Sequence, residues 1–162
     1  MTTVMLNRRR LLIAGGSVLV TAPSAFLLPA AAQGLAPTPS MPGGSNNYRK
    51  GAPIVSKIGG GGFWMTGTVR RAGDGAPLAN QRIQIWAHTT EGQEPDPRSH
   101  GATLTDSKGA FRLEMPQIVP IFGQPHGHLA YDSGEFQTVF LRPIMRSAKD
   151  TSLEAHFVLQ PV

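Results

Sequence analysis

The chain has no cysteine among its 162 residues, which removes disulfide bonds and thiolate metal ligands together. Any metal site must therefore be built from histidine, carboxylate, tyrosine or water. Beyond the N-terminal segment, no stretch keeps helical periodicity for three turns, so the sequence argues against a helical fold. Short apolar runs instead alternate with turns rich in glycine and proline, a pattern typical of β-structure.

The N-terminal segment has the composition of an export signal. The basic stretch Asn7–Arg10 precedes an apolar run, Leu11–Leu28, which is followed by small residues at Ala30–Ala32. This order predicts a signal peptide over residues 1–32. Its Arg-Arg-x-Leu-Leu pattern resembles the twin-arginine export signal, an address that a receptor reads. Thr21, Pro23, Ser24 and Pro29 interrupt the apolar length that a membrane span needs, so we expect no permanent membrane anchor and a periplasmic or secreted protein.

The charge of the chain changes when this signal is removed. Fifteen Lys and Arg residues exceed ten Asp and Glu residues by five, but three of those arginines, Arg8–Arg10, lie in the predicted signal. The mature excess is therefore about two positive charges. No basic stripe with interleaved aromatic residues is present, so we expect no nucleic-acid partner.

Two regions follow the signal. Residues 33–61 are rich in Pro, Gly, Ser and Asn and predict a flexible or extended arm. Residues 62–162 predict one all-β domain, a β-sandwich of about seven short antiparallel strands. A short helix could also lie within 144–153. The candidate strands are 63–70, 81–88, 103–105, 111–115, 126–131, 136–142 and a last one around Phe157 and Leu159.

The sharpest chemical signal is the pair His126 and His128, separated by Gly127. Side chains two residues apart in a strand leave the same face, so the two imidazoles can converge on one ion. Imidazole suits iron, zinc, copper and nickel. The alternative is two exposed histidines beside a turn. We expect the other histidines, His88, His100 and His156, to be solvated or hydrogen-bonded, with His100 in a polar loop.

Four segments in a fixed order resemble the intradiol ring-cleavage dioxygenases. They are Gly67–Val69 with the turn Gly75–Asn80 and the strand Ile83–Trp86, the hairpin Thr105–Leu113, the histidine pair, and Phe136–Phe140. The resemblance covers residues 63–142. It implies a β-sandwich with non-haem iron, an enzyme that opens a catechol-type aromatic ring with O₂, and a catalytic role for Gln137.

The resemblance also implies ligands that this chain lacks. The family binds ferric iron with two tyrosines and two histidines, here matched by His126 and His128. Counted from Trp86 without gaps, the first tyrosine position is Glu94. Glu94 with the histidines would make a two-histidine, one-carboxylate set of the kind found in ferrous oxygenases. Copper or zinc would also suit it, and Glu91 or Asp96 could replace Glu94.

The second tyrosine and the arginine of the family are also missing at their positions. The loop Ile118–Phe122 has no phenol, and the arginine position falls on Gly123. Tyr131 should lie on the strand face opposite the histidines, and Tyr48 could reach a site only if the arm folds over the sandwich.

Two other functions fit the same residues. The strand and turn pattern is also similar to transthyretin-like and carboxypeptidase regulatory-like domains, which would make the chain a non-catalytic binding or structural module. A periplasmic copper- or zinc-binding protein would use the two histidines without oxygenase chemistry.

Overall fold

A computed structural model describes residues 34–162 of the chain. The predicted signal peptide, residues 1–32, lies outside the described residues. Within 34–162, no helix has the length and apolar character needed to cross a membrane.

The described chain is a β-sandwich of seven strands, the number that the sequence predicts. One short 3₁₀ helix, Pro97–Ser99, precedes the third strand. The strands are β1 (Phe63–Arg71), β2 (Arg82–Ala87), β3 (His100–Leu104), β4 (Ala110–Met115), β5 (Gly127–Tyr131), β6 (Val139–Leu141) and β7 (Ser152–Leu159).

The strands form two sheets, one in the order β4-β1-β7 and one in the order β3-β2-β5-β6. All neighbouring strands are antiparallel except β1 and β7, which run parallel. Gly67 of β1 sits where the two backbones approach closely, because an added Cβ would lie 1.7 Å from the Ala155 carbonyl oxygen. Apolar residues from both sheets fill the space between them.

The side chains of β2 alternate between the two faces of the β3-β2-β5-β6 sheet, and those on both faces are buried. Ile83, Ile85 and Ala87 belong to the core between the sheets. Gln84 and Trp86 leave the opposite face and are nevertheless fully buried. Something other than the β4-β1-β7 sheet must therefore cover them.

The predicted arm provides that cover. Residues 34–61 contain only isolated bridges and turns. The two ends of this segment pair with Gly73 and Glu114 at the first sheet, and its middle lies across the outer face of the β3-β2-β5-β6 sheet. The Gln84 side chain donates to the Arg49 carbonyl oxygen at 2.6 Å, and the Trp86 indole donates to that of Asn46 at 3.0 Å. Farther along, Ala102 of β3 exchanges backbone hydrogen bonds with Pro53 and Val55.

Three local expectations were wrong. The segment before β7 contains no helix within 144–153, and β7 itself begins at Ser152. His100 lies at the start of β3 and is buried, not in a polar loop, because β3 begins three residues earlier than its alternation suggested. β6 is limited to Val139–Leu141, so Gln137 lies outside it.

Candidate metal centre

The histidine pair lies at the start of β5, on the face covered by the arm. His126 immediately precedes the strand and His128 is its second residue, paired with Trp86 of β2. The two rings lie 5.1 Å apart between centroids, as expected for alternate residues of one strand. Gly127 between them faces the core, where an added Cβ would meet the Met65 methyl at 3.0 Å.

Glu94 completes a three-residue group. It lies in the loop between β2 and β3, and its Oε1 is 3.1 Å from Nε2 of His126 and 3.4 Å from Nε2 of His128. The three donor atoms all lie within 4.8 Å of one another. All three side chains are buried, with His128 fully so. The structure thus brings together the three residues that the sequence names as metal ligands, and their ligation of a metal stays a prediction.

Backbone hydrogen bonds fix which ring nitrogens face the centre. Nδ1 of His126 donates to the Gln124 carbonyl oxygen at 2.8 Å, and Nδ1 of His128 donates to that of Gly44 at 3.1 Å. With the proton on Nδ1, each neutral ring presents the lone pair of Nε2 to Glu94. Neither Oε1 of Glu94 nor Nε2 of His128 has a hydrogen-bond partner within the described chain.

Three acceptor atoms therefore meet in a buried space. A carboxylate oxygen and two imidazole lone pairs repel one another unless a positive charge lies between them, either a metal ion or a proton on one ring. Two imidazoles and one carboxylate are a recognised donor set for a divalent transition metal. The residues present thus fit a metal ion, on the evidence of these unpartnered buried atoms.

The second carboxylate oxygen of Glu94 is held from the arm. Oε2 accepts a hydrogen bond from the Asn47 side-chain amide at 2.9 Å. Burial raises the pKa of the Glu94 carboxyl. A proton on the facing ring of His128 or His126, together with the Asn47 amide, outweighs burial and brings the pKa to about 2. Glu94 is therefore a carboxylate at neutral pH and can donate an oxygen to a cation.

Arg142 follows β6 and adds a positive charge beside the group. Its Nη2 is 3.4 Å from Nδ1 of His126, and it forms no ion pair with a carboxylate in residues 34–162. Burial lowers the pKa of His126, and the Arg142 charge lowers it further, which favours the neutral, metal-binding form of the ring.

The other acidic candidates of the same loop are engaged elsewhere. Glu91 is exposed and accepts from the Gly60 backbone at 2.9 Å. Asp96 accepts from the Arg98 backbone at the start of the 3₁₀ helix and pairs with the Arg98 guanidinium at 2.6 Å. Of the three loop carboxylates, only Glu94 faces the histidines.

The two tyrosines do not complete a tyrosinate site. Tyr131 is buried in the core on the opposite strand face, against Phe136, as predicted. The arm does fold over the sandwich, but the Tyr48 hydroxyl donates to Asp132. Neither phenol belongs to the group of converging donors, so a ferric centre with two tyrosinate ligands does not fit the described residues.

Gln137 is not brought to the group. Its side chain is exposed, and its backbone N–H donates to the Gln160 carbonyl oxygen at 2.8 Å. It precedes the end of β6 that pairs with Tyr131, whereas the histidines lie at the other end of β5. A catalytic role for Gln137 stays a prediction without support from this position.

Sequence reasoning missed Gly44, Asn47 and Arg142. Gly44 and Asn47 lie in the arm, whose composition gave no sign of specific contacts. Arg142 had a usable signal, because it ends the candidate strand 136–142, the next one in the chain after the strand of the histidines.

No family model matches this sequence, and no curated protein matches it. Solved structures do match in fold. Hydroxyquinol 1,2-dioxygenase from Pseudomonas putida DLL-E4 is 11% identical with a TM-score of 0.60, over 79% of this chain and 68% of that one. 3-Chlorocatechol 1,2-dioxygenase from Rhodococcus opacus 1CP is 17% identical with a TM-score of 0.56, over 82% and 74%.

A third match has the size of this domain. The dioxygenase domain of a dioxygenase–carbohydrate-binding fusion from Streptomyces sp. SirexAA-E is 14% identical with a TM-score of 0.58, over 78% of this chain and 100% of that one. At these identities the matches establish the fold alone. Residues 34–162 are thus an all-β sandwich with the fold of the intradiol dioxygenases, with Glu94, His126 and His128 brought together on one sheet.

Proposed function

We propose that Glu94, His126 and His128 hold a divalent non-haem iron ion. The observation that carries this proposal is the convergence of three buried acceptor atoms, two of them without a hydrogen-bond partner within the described chain. A donor set without phenolate stabilises Fe(II) better than Fe(III), because two charged oxygen ligands are missing. Copper or zinc without oxygenase turnover is the second candidate, since the same three donors suit those ions.

We further propose that the chain is an oxygenase that acts on a catechol-type aromatic with O₂. The fold supports this, because the structures that share it include dioxygenases of hydroxyquinol and chlorocatechol. Three protein donors leave coordination positions free, so the bound metal would supply a place where a diphenol and O₂ lie side by side.

The chain's own residues would prepare this site in three ways. The carbonyl oxygens of Gln124 and Gly44 hold the imidazoles with their Nε2 atoms inward. Arg142 offers a positive charge that favours an ionised diphenol over a neutral one. The arm excludes water from one side and strengthens these electrostatic interactions.

Export is part of the same proposal. A twin-arginine-type signal over residues 1–32 would carry an already folded protein to the periplasm or beyond. That route suits a domain whose donors come from a loop and a distant strand, because such donors converge only after folding.

Metal analysis with O₂ uptake tests the proposal. Protein purified from its native compartment should contain one iron per chain, consume O₂ when a catechol is added, and lack the visible band of a tyrosinate–iron pair. The variant His126→Ala/His128→Ala should lose both metal and uptake. Glu154→Gln/His156→Ala is the matched control, because that exposed pair also places a carboxylate 3.4 Å from an imidazole.

The outcomes separate the candidates. Copper or zinc without O₂ uptake would support the second candidate. A protein that binds no metal under any loading condition would leave a non-catalytic sandwich module. Unchanged metal affinity in the double histidine variant would refute the ligand assignment.

A further inference from the structure

His100 contacts the candidate metal centre without being one of its donors. It lies at the start of β3, is 4% exposed, and its Nε2 donates to the backbone carbonyl oxygen of Glu94 at 2.7 Å. Its Nδ1 has no hydrogen-bond partner within the described chain. The side chain therefore uses its only proton on the residue that supplies the carboxylate.

The ring of His100 is held by a stack of three aromatic planes. Trp86 lies between His100 and His128, with centroids 5.5 and 5.1 Å away and interplanar angles of 7° and 11°. The strand register explains the stack, because Trp86 of β2 pairs with His100 of β3 on one side and with His128 of β5 on the other. The indole N–H donates to Asn46, which fixes the rotation of the central plane.

Glu94 needs such support more than the histidines do. His126 and His128 are tied to β5, whereas Glu94 lies in the loop between the end of β2 and the start of β3. A donor on a loop is less precisely placed than one on a strand, and a displacement near 1 Å is enough to spoil a coordination site. The His100 hydrogen bond connects the middle of this loop to the first residue of β3, on the same stack as His128.

We propose that His100 is a positioning residue of the metal centre, which sets the place of the Glu94 carboxylate through its backbone carbonyl. This inference rests on the metal-binding function proposed above. The Trp86 stack gives the His100 ring one orientation, so the loop that carries Glu94 and the strand that carries His128 share one rigid reference.

Cobalt(II) titration of the purified, metal-free mature protein tests this role. Its visible absorption reports the coordination geometry as well as the affinity. His100→Phe keeps a stacking ring and removes the donor, whereas His100→Gln keeps an N–H near the position of Nε2. His156→Phe is the control, because that histidine is exposed and lies on β7.

We expect His100→Phe to weaken cobalt binding about tenfold or more and to change the cobalt spectrum, since the carboxylate is displaced. His100→Gln should recover most of the affinity and the wild-type spectrum, and His156→Phe should match the wild type in both. A purely structural role would not predict a spectral change that the glutamine reverses.

Two results distinguish a failure of the proposed metal function from a failure of the role proposed for His100. If the wild type binds no cobalt, the proposed metal function fails. If the wild type binds cobalt and His100→Phe has the same affinity and spectrum, or if the phenylalanine and glutamine variants lose affinity equally, His100 does not position Glu94 by this hydrogen bond.

Discussion

Replacing Glu94 with glutamine should stabilise the metal-free protein while abolishing metal binding. The carboxylate places Oε1 against two imidazole nitrogens at 3.1 and 3.4 Å, and a neutral ring whose proton is on Nδ1 offers it none. Glutamine has nearly the same shape. Its carbonyl oxygen can keep the hydrogen bond from Asn47, and its amide can donate to an imidazole.

The size of the effect follows from the unpartnered atoms. A buried polar group without a partner costs about 1–3 kcal/mol, and the substitution gives partners to both Glu94 and His128. We expect the free energy of unfolding of the metal-free protein to rise by about 1–2 kcal/mol. In a domain of this size, each kcal/mol corresponds to about 3–6 °C in Tm.

Bound metal should make the wild type more stable than the Glu94→Gln variant. An ion at a hundred times its Kd stabilises the native wild type by about 2.7 kcal/mol, and the variant has lost one of three donors. Thermal unfolding with and without cobalt, at pH 8 where an imidazole of ordinary pKa is neutral, measures both effects. A Glu94→Gln protein that is less stable than the wild type without metal, or that is equally stabilised by metal, would refute this reasoning. Glu154→Gln should change neither quantity.

Three further predictions concern the arm and the sheets. Asn47→Ala removes the amide from Glu94, and we expect about a tenfold loss of cobalt affinity in the same titration. Tyr48 should ionise only near pH 12, because burial and its carboxylate partner raise its pKa to about 12. The stability that this residue contributes should be complete below about pH 10 and lost between about pH 10 and 12. In urea denaturation, the unfolding free energy of Tyr48→Phe should therefore fall less between about pH 9 and pH 11 than that of the wild type. Gly67→Ala should destabilise the fold by about 3 kcal/mol or more, measured by the same method, because its Cβ would overlap the Ala155 carbonyl.

The β-sandwich could be predicted because its signals are local. Alternation places Ile83 and Ile85 in the core and Trp86 on the other face, and a turn follows each strand. The same alternation made the convergence of His126 and His128 predictable, since it needs only one strand. Boundaries were less certain: His100 was assigned to a loop because the alternation of β3 becomes clear only after Gly101.

The contacts of the arm could not be predicted from its composition. Pro, Gly and Asn lower the capacity of a segment to bury apolar surface, which argues for mobility. Residues 34–61 instead use backbone groups, such as the carbonyl oxygens of Gly44, Asn46 and Arg49, to accept from buried side chains of the sheet. Sequence patterns carry little information on backbone acceptors, since every residue has one.

The difference between local patterns and contacts of distant segments also explains why the sequence predicts Glu94 but not its environment. Its position came from counting along one loop, which works when a loop keeps its length. The unpartnered Oε1, the Asn47 amide on Oε2 and the inward Nε2 of His128 are long-range properties, created by segments 47 and 34 residues away in the chain. These contacts turn three acceptors into a site that demands a positive charge. The metal proposal therefore depends on the folded arm as much as on the histidine motif, and a protein whose arm is displaced should lose metal affinity with all three donors intact.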